Sequence, residues 1–280
     1  MNRVCRAAPL LLAATLLANC AAPGPLPAWQ GKLEGVRKEV REEKGGSRRV
    51  RRGGRRHRGE EDDYWVAGLV LRWVILSPFW VPIEVAQDPL DFAGFFPSHP
   101  YQDGFPGYQY FEGDAEEGHW AARLSLEDGD DFQGLNRAGA RLLVSSRWRL
   151  GLEGGFDFLR ESLPDRSDDE LLLGDVNLVF RFAQHENFQF RTGLGYRFLH
   201  DDEGDEGGFN WLYAADFYPH RPWVISGRFD AGTLGSADLF RARLTLGALW
   251  EGMELFAGYD HLQVERVEIY GPLVGLRAWF

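Results

Sequence analysis

The chain ends on Tyr270–Phe280, YGPLVGLRAWF. Read with a period of two, Tyr270, Pro272, Val274, Leu276, Ala278 and Phe280 share one face, while Gly271, Leu273, Gly275, Arg277 and Trp279 share the other. Successive side chains leave a pleated backbone on opposite sides, so this alternation reads as a strand. Its first face suits lipid. The same pattern recurs upstream in ten segments, roughly 119–127, 134–146, 149–160, 170–183, 187–199, 208–218, 222–233, 238–250, 253–263 and 268–280. A bilayer offers no water to a backbone amide or carbonyl, so a sheet that crosses one must close on itself. The fold expected is all-β, a closed antiparallel transmembrane barrel of about ten strands, preceded by a disordered basic linker and a short apolar helix or connector.

Average composition hides this architecture. With 280 residues, 44% hydrophobic content and a mean hydropathy of −0.33, the chain resembles a soluble protein, as a barrel with polar lumen and turns should. Ten Trp and twenty Phe are abundant enough to supply interfacial aromatic girdles.

Upstream of the barrel, residues 1–22 read as an export signal: Arg3 and Arg6 precede an apolar run from Ala7 to Leu17, then small residues. Leu17-Ala18-Asn19-Cys20 resembles a bacterial lipoprotein box, which would make Cys20 a lipidation site, although Asn19 stands where Gly, Ala or Ser is usual. Cys5 would leave with the signal, so no intramolecular disulfide is expected. Residues 23–63 read as a disordered charged linker, because no sustained apolar face offsets ordering entropy. Seven arginines crowd Arg48 to Arg58, a segment suited to an anionic envelope polymer; nucleic acid is not the partner expected of an exported chain. Residues 64–117 hold an apolar stretch, Tyr64 to Val85, too interrupted by Arg72 and Pro78 for a spanning helix, then a Pro- and aromatic-rich connector that could cover the inner barrel mouth. The barrel itself occupies 118–280.

Connections 147–148, 184–186, 219–221 and 251–252 are tight, whereas the others contain acidic stretches such as Asp128 to Asp131, Leu163 to Asp169 and His200 to Gly207. Short inner turns and longer outer loops are the usual arrangement, so the acidic loops are expected to face outward and the basic segment to lie in the periplasm. Lipid-facing positions include Phe188, Phe190, Leu194, Tyr196 and Phe198, and Phe240, Ala242, Leu244, Leu246, Ala248 and Trp250. The opposite faces line the lumen with Arg123, Arg137, Arg141, Arg181, Arg191, Arg197, Arg228, Arg241, Arg243 and Arg277, against Glu153, Asp157, Asp175, Asp216, Asp230, Glu254 and Asp260. Such side chains can pair into a plug or ring a narrow, anion-favouring pore.

No catalytic residue, metal site or cofactor is assigned. Asp260-His261, Asp130-Asp131 and His200-Asp201-Asp202 are the nearest acid–histidine combinations to a rim-active hydrolase, since a carboxylate can orient a histidine base. The strand count resembles that of the omptin outer-membrane proteases, but their spaced acidic pair and Asp-x-His arrangement are absent, so these positions do not receive those roles. Asp201, Asp202, Glu203, Asp205 and Glu206 lack an ordered cation-ligand spacing.

Over its C-terminal 160 or so residues the chain resembles the small outer-membrane β-barrel proteins of bacteria with two membranes, through the ten-segment alternation and the terminal Trp279-Phe280. That resemblance implies a bacterial outer-membrane address, outer-membrane lipid as surroundings and the barrel-insertion machinery as a partner of the C-terminal strand. The function expected is a non-enzymatic structural or surface-interaction role in the cell envelope, with a narrow anion-favouring pore or a rim-active hydrolase as alternatives.

Overall fold

The computed structural model describes residues 31–41, 77, 81, 95–104, 107, 108, 118–163, 168–185 and 187–280. Ten antiparallel strands run in order: β1 (Trp120–Asp130), β2 (Leu135–Ser146), β3 (Leu150–Ser162), β4 (Asp168–His185), β5 (Phe188–Asp201), β6 (Gly204–Phe217), β7 (Trp223–Leu234), β8 (Ala237–Trp250), β9 (Met253–Val264) and β10 (Val267–Trp279). Each pairs with its neighbours in sequence, and β1 closes the ring against β10, Arg123 opposite Trp279 and Gly129 opposite Leu273. Closure leaves no sheet edge across the middle of the wall, where the ladders pair the backbone of neighbouring strands.

Burial alternates along the strands as the sequence pattern requires. On β10, Tyr270, Pro272, Val274, Leu276 and Phe280 are exposed, while Leu273, Arg277 and Trp279 are buried. The outer wall therefore carries an apolar belt of residues such as Leu126, Leu152, Leu178, Leu194, Leu246 and Leu276. Trp120, Trp148, Trp223 and Trp250 stand exposed around one end of it. This is the end where β1 begins and β10 finishes.

Three expectations need correction. Residues 32–41 are not a disordered linker: they form a helix, α1 (Lys32–Arg41), whose Leu33, Val36 and Val40 are buried. Spacing of three and four residues puts these side chains on one stripe, and the ordering cost is offset because the stripe finds an apolar socket in the barrel. Secondly, the two ends do not differ in turn length as the acidic stretches implied. The His200-to-Gly207 stretch is mostly ladder, with β5 and β6 joined only by 202–203, and 235–236 and 265–266 are equally short. Extending the ladder keeps these backbone groups paired beyond the belt, and turn length therefore does not distinguish the ends. Thirdly, Phe188 and Phe190 are not open on the outer wall. They pack with Phe182, Ala183 and Tyr213 under Val81, next to a β4 bulge between Arg181 and Ala183. Ser77 Oγ reaches the Tyr213 hydroxyl at 3.0 Å on the same surface. Cys20 and the Arg48-to-Arg58 segment lie outside the described residues.

Candidate functional site: a charged lumen closed at both mouths

Every arginine and carboxylate assigned to the lumen from sequence sits on an inward strand position. Relative exposure among them is 9% or less, apart from Arg141 and Arg243, which are slightly more exposed. The sequence brings them there because each occupies the polar parity of its strand; the registers then set which ones meet.

Several pairs cross the lumen rather than follow its wall. Arg123 on β1 meets Asp216 on β6 at 3.0 Å, and β1 and β6 are opposite one another in the ring. Arg228 on β7 bonds Glu153 on β3 and lies 2.7 Å from Asp175 on β4. Arg241 on β8 reaches Asp157 on β3 at 2.5 Å and Asp260 at 3.0 Å. Asp260 is also held by Arg137 and, at 2.8 Å, by Arg243. Arg191 bridges Glu153 at 3.2 Å and Asp216 at 2.5 Å, Arg141 lies 3.1 Å from Asp175, Arg197 3.4 Å from Asp230, and Arg277 2.7 Å from Glu254. Arg181 lies over the Phe96 ring, 5.1 Å from its centre. Buried ion pairs repay desolvation only when their geometry is good, but removing one partner strands the other at a cost of about 3–5 kcal/mol. The network thus fixes the registers of strands that never touch through backbone.

Glu127, the partner of Arg243 at 2.6 Å, was missed in sequence because it fell on the last residue assigned to the first strand. Asn177 and Asn210, fully buried and joined at 2.7 Å, were missed too, although both lie on the inward parity of β4 and β6. The α1 residues were overlooked although Leu33, Val36 and Val40 carried a helical signal.

Above the network, α1 fills the mouth formed by the hairpin tips. Leu33, Val36 and Val40 join one apolar cluster with Leu135, Leu159, Leu173, Leu199, Leu234, Leu262 and Val267. The barrel supplies both caps. At the N-terminus the Glu161 carboxylate accepts the Lys32 and Leu33 amides, each at 2.9 Å, which suits a helix's positive end. At the C-terminus the Ser236 amide and hydroxyl donate to the Val40 carbonyl at 2.9 Å. Gly235 next to it has φ +55°, and a Cβ there would lie 2.4 Å from that carbonyl oxygen, so this turn needs glycine on both counts.

Charge fastens the rim. Lys32 meets Asp131 at 2.5 Å; Arg37 grips Asp169 with two nitrogens at 2.6 and 2.5 Å and Asp201 at 2.7 Å; Arg41 meets Asp201 at 2.6 Å. The hydrogen bond to Asp169, helped by Asp201, holds the Arg37 guanidinium above its ordinary range despite burial. Burial pushes the Asp201 carboxyl up, but hydrogen bonds from Arg41 and Arg37 outweigh it and hold it at about 2. The acidic tips are thus engaged by the chain's own basic helix.

The opposite mouth is covered by the connector. Phe96, Tyr101 and Tyr108 pack with Ala121, Tyr218, Val224, Leu249 and Trp279. Tyr108 stands edge-on to Trp279 with ring centres 4.7 Å apart and donates to the Phe280 carbonyl at 2.8 Å; Tyr101 donates to the Trp223 carbonyl at 2.6 Å. Arg123 lies 5.0 Å from the centre of the Trp279 ring.

The acid–histidine combinations fare differently. Asp260 and His261 are neighbours in a strand and therefore point to opposite faces: Asp260 into the arginine cluster, His261 outward between Phe240 and Tyr270, at 6.4 and 6.2 Å. They form no dyad. Asp131 faces Lys32, whereas His200 Nδ1 contacts Asp205 at 2.5 Å on an exposed tip. Among the described residues no group of histidine, cysteine and carboxylate side chains has a metal-holding arrangement.

No protein-family model and no curated protein matches the chain. Among solved bacterial outer-membrane barrels, it is similar to the N-terminal β-barrel domain of Pseudomonas aeruginosa OprF, with 9% identity over 57% of this chain and 97% of that one and a TM-score of 0.28. It is similar to Ail, the attachment invasion locus protein of Yersinia pestis, with 12% identity over 57% and 96% of the two chains and a TM-score of 0.27. For a KdgM porin the values are 11%, 57%, 99% and 0.26. Likenesses of this size carry no functional argument.

Proposed function

We propose that this is a non-enzymatic outer-membrane protein of the bacterial envelope with a structural or surface-interaction role, and that its barrel does not conduct solutes. The observation that carries this is occupation of the lumen along its length: α1 in one mouth, arginine–carboxylate pairs crossing the middle and the aromatic connector in the other. The outward apolar belt and exposed tryptophans support a lipid setting, since both match what a bilayer asks of a barrel wall. Outer-membrane lipid and the insertion machinery acting on the C-terminal strand are then the first partners, with the Arg48-to-Arg58 segment available to an anionic envelope polymer. A structural role needs only what the network supplies, a barrel whose strands are tied across the lumen.

The test is single-channel conductance of the full chain refolded into a planar bilayer. The wild type stays silent, and so does the Arg37→Ala, Arg41→Ala double variant, because the cross-lumen pairs remain under a loosened cap. Current steps from the wild type would overturn the closed reading. Steps from the double variant alone would replace it with the narrow anion-favouring pore, an alternative that draws support from the number of arginines inside.

A further inference from the structure

Within the ion-paired layer lies a small cavity of about 30 Å³, room for about two waters. Its wall is unbalanced in charge. Arg123, Arg141, Arg191, Arg228, Arg243 and Arg277 line it, against Glu127 and Glu153 alone; the other carboxylates of the network stand behind these arginines. The same wall holds unused donors. Arg243, its side chain 8% exposed, spends Nε on Asp260 at 2.8 Å and Nη1 on Glu127 at 2.6 Å, while its Nη2 has no hydrogen-bond partner, the ion-paired Asp157 oxygen lying 3.8 Å away. Arg141 uses Nη1 on Asp175 at 3.1 Å and leaves Nε without one. An unmet buried donor is costly, and costlier on a cation, because low local dielectric amplifies the lost bond. Water would supply the bond; an anion would supply it and also offset the excess of cations in the wall.

We propose that this cavity is a binding site for one halide-sized anion, chloride under ordinary conditions, held among Arg243, Arg141 and their neighbours. The volume sets the class: a monatomic anion fits where a sulfate or an organic carboxylate would have to part existing ion pairs. The site goes beyond the closed-barrel reading without depending on it, because the refolded protein in detergent can be tested whether or not the barrel conducts.

The experiment is ³⁵Cl NMR line broadening on the full chain refolded in detergent, titrated with bromide. Excess broadening that bromide competes away in the wild type, and that disappears in Arg243→Gln but persists in Arg160→Gln, is the expected result; Arg160 is half-exposed and pairs with Asp168 on a hairpin tip. Broadening unchanged in Arg243→Gln overturns the site. Should the line stay narrow because the closed mouths slow the ion's exchange, or should Arg243→Gln fail to fold, anomalous diffraction from wild-type protein refolded and crystallised in bromide decides: a peak in the cavity supports the site, and water there, or an adventitious ion only at the surface, overturns it.

Discussion

The two mouths of this barrel are closed by opposite means. At the hairpin-tip end a short helix presents Leu33, Val36 and Val40 to an aliphatic socket and is fastened by Lys32, Arg37 and Arg41 on Asp131, Asp169 and Asp201. At the other end the seal is mainly aromatic, with Trp279 edge to face with Tyr108 and Tyr218, hydrogen bonds from Tyr101 and Tyr108 to backbone carbonyls, and buried ones from Trp279 to Glu254 and from Gln189 to Tyr218. Partly solvated ion pairs respond to salt and acid, whereas edge-to-face rings and fully buried hydrogen bonds scarcely do. The helical cap is therefore the closure that solution conditions can loosen, and the aromatic seal the one that stays.

The contrast breaks most clearly at Trp279. It packs against Tyr108 and Tyr218 and donates to Glu254 at 2.9 Å, so Trp279→Ala should cost about 3–5 kcal/mol of barrel stability, read from denaturant unfolding and independent of salt. Protection of α1 amides against hydrogen exchange should not change in this variant; if it collapses, the two mouths are coupled and the comparison fails. Leu33→Ala empties the centre of the aliphatic socket and should weaken α1 docking by about 2 kcal/mol or more, which hydrogen exchange would register as faster opening of α1 alone.

Asp201→Asn removes the carboxylate shared by Arg37 and Arg41. It should weaken docking by about 1–3 kcal/mol. Raising salt should shrink that difference, and a salt-independent loss would point to packing instead of charge. Acid acts on the same residue with a definite sign. Its carboxyl is held at about 2 when folded, below about 3.9 for a free aspartate, so its contribution is complete above pH 4 and fades as the pH falls toward 2. Protection of α1 amides, taken relative to the intrinsic exchange rate at each pH, should therefore fall over that interval while the Trp279 end keeps its fluorescence.

Much of the wall was legible along the chain and little of the closure. Arg191, Arg197, Phe190 and Leu194 declare their faces by parity alone, and each strand shows the same rule locally. Strand ends were less legible: β6 begins at Gly204, because glycine and acidic residues read as loop until a partner strand takes up their hydrogen bonds. Lys32–Arg41 looked like solvated linker since its apolar stripe holds only three residues, too few to order a helix without a socket. Asp260-His261 looked like a pair because adjacency in sequence is not adjacency of side chains in a strand.

By itself the sequence determined a closed ten-strand barrel with a charged interior, because period-two alternation is local and a strand's two faces follow from its pleat. Only the tertiary structure decided that Arg123 meets Asp216 and Arg228 meets Glu153 across the lumen, that α1 rather than loops occupies the acidic mouth, and that a cationic cavity remains between them. Those contacts join residues far apart in the chain, and they depend on the ring's registers and on the space left within it.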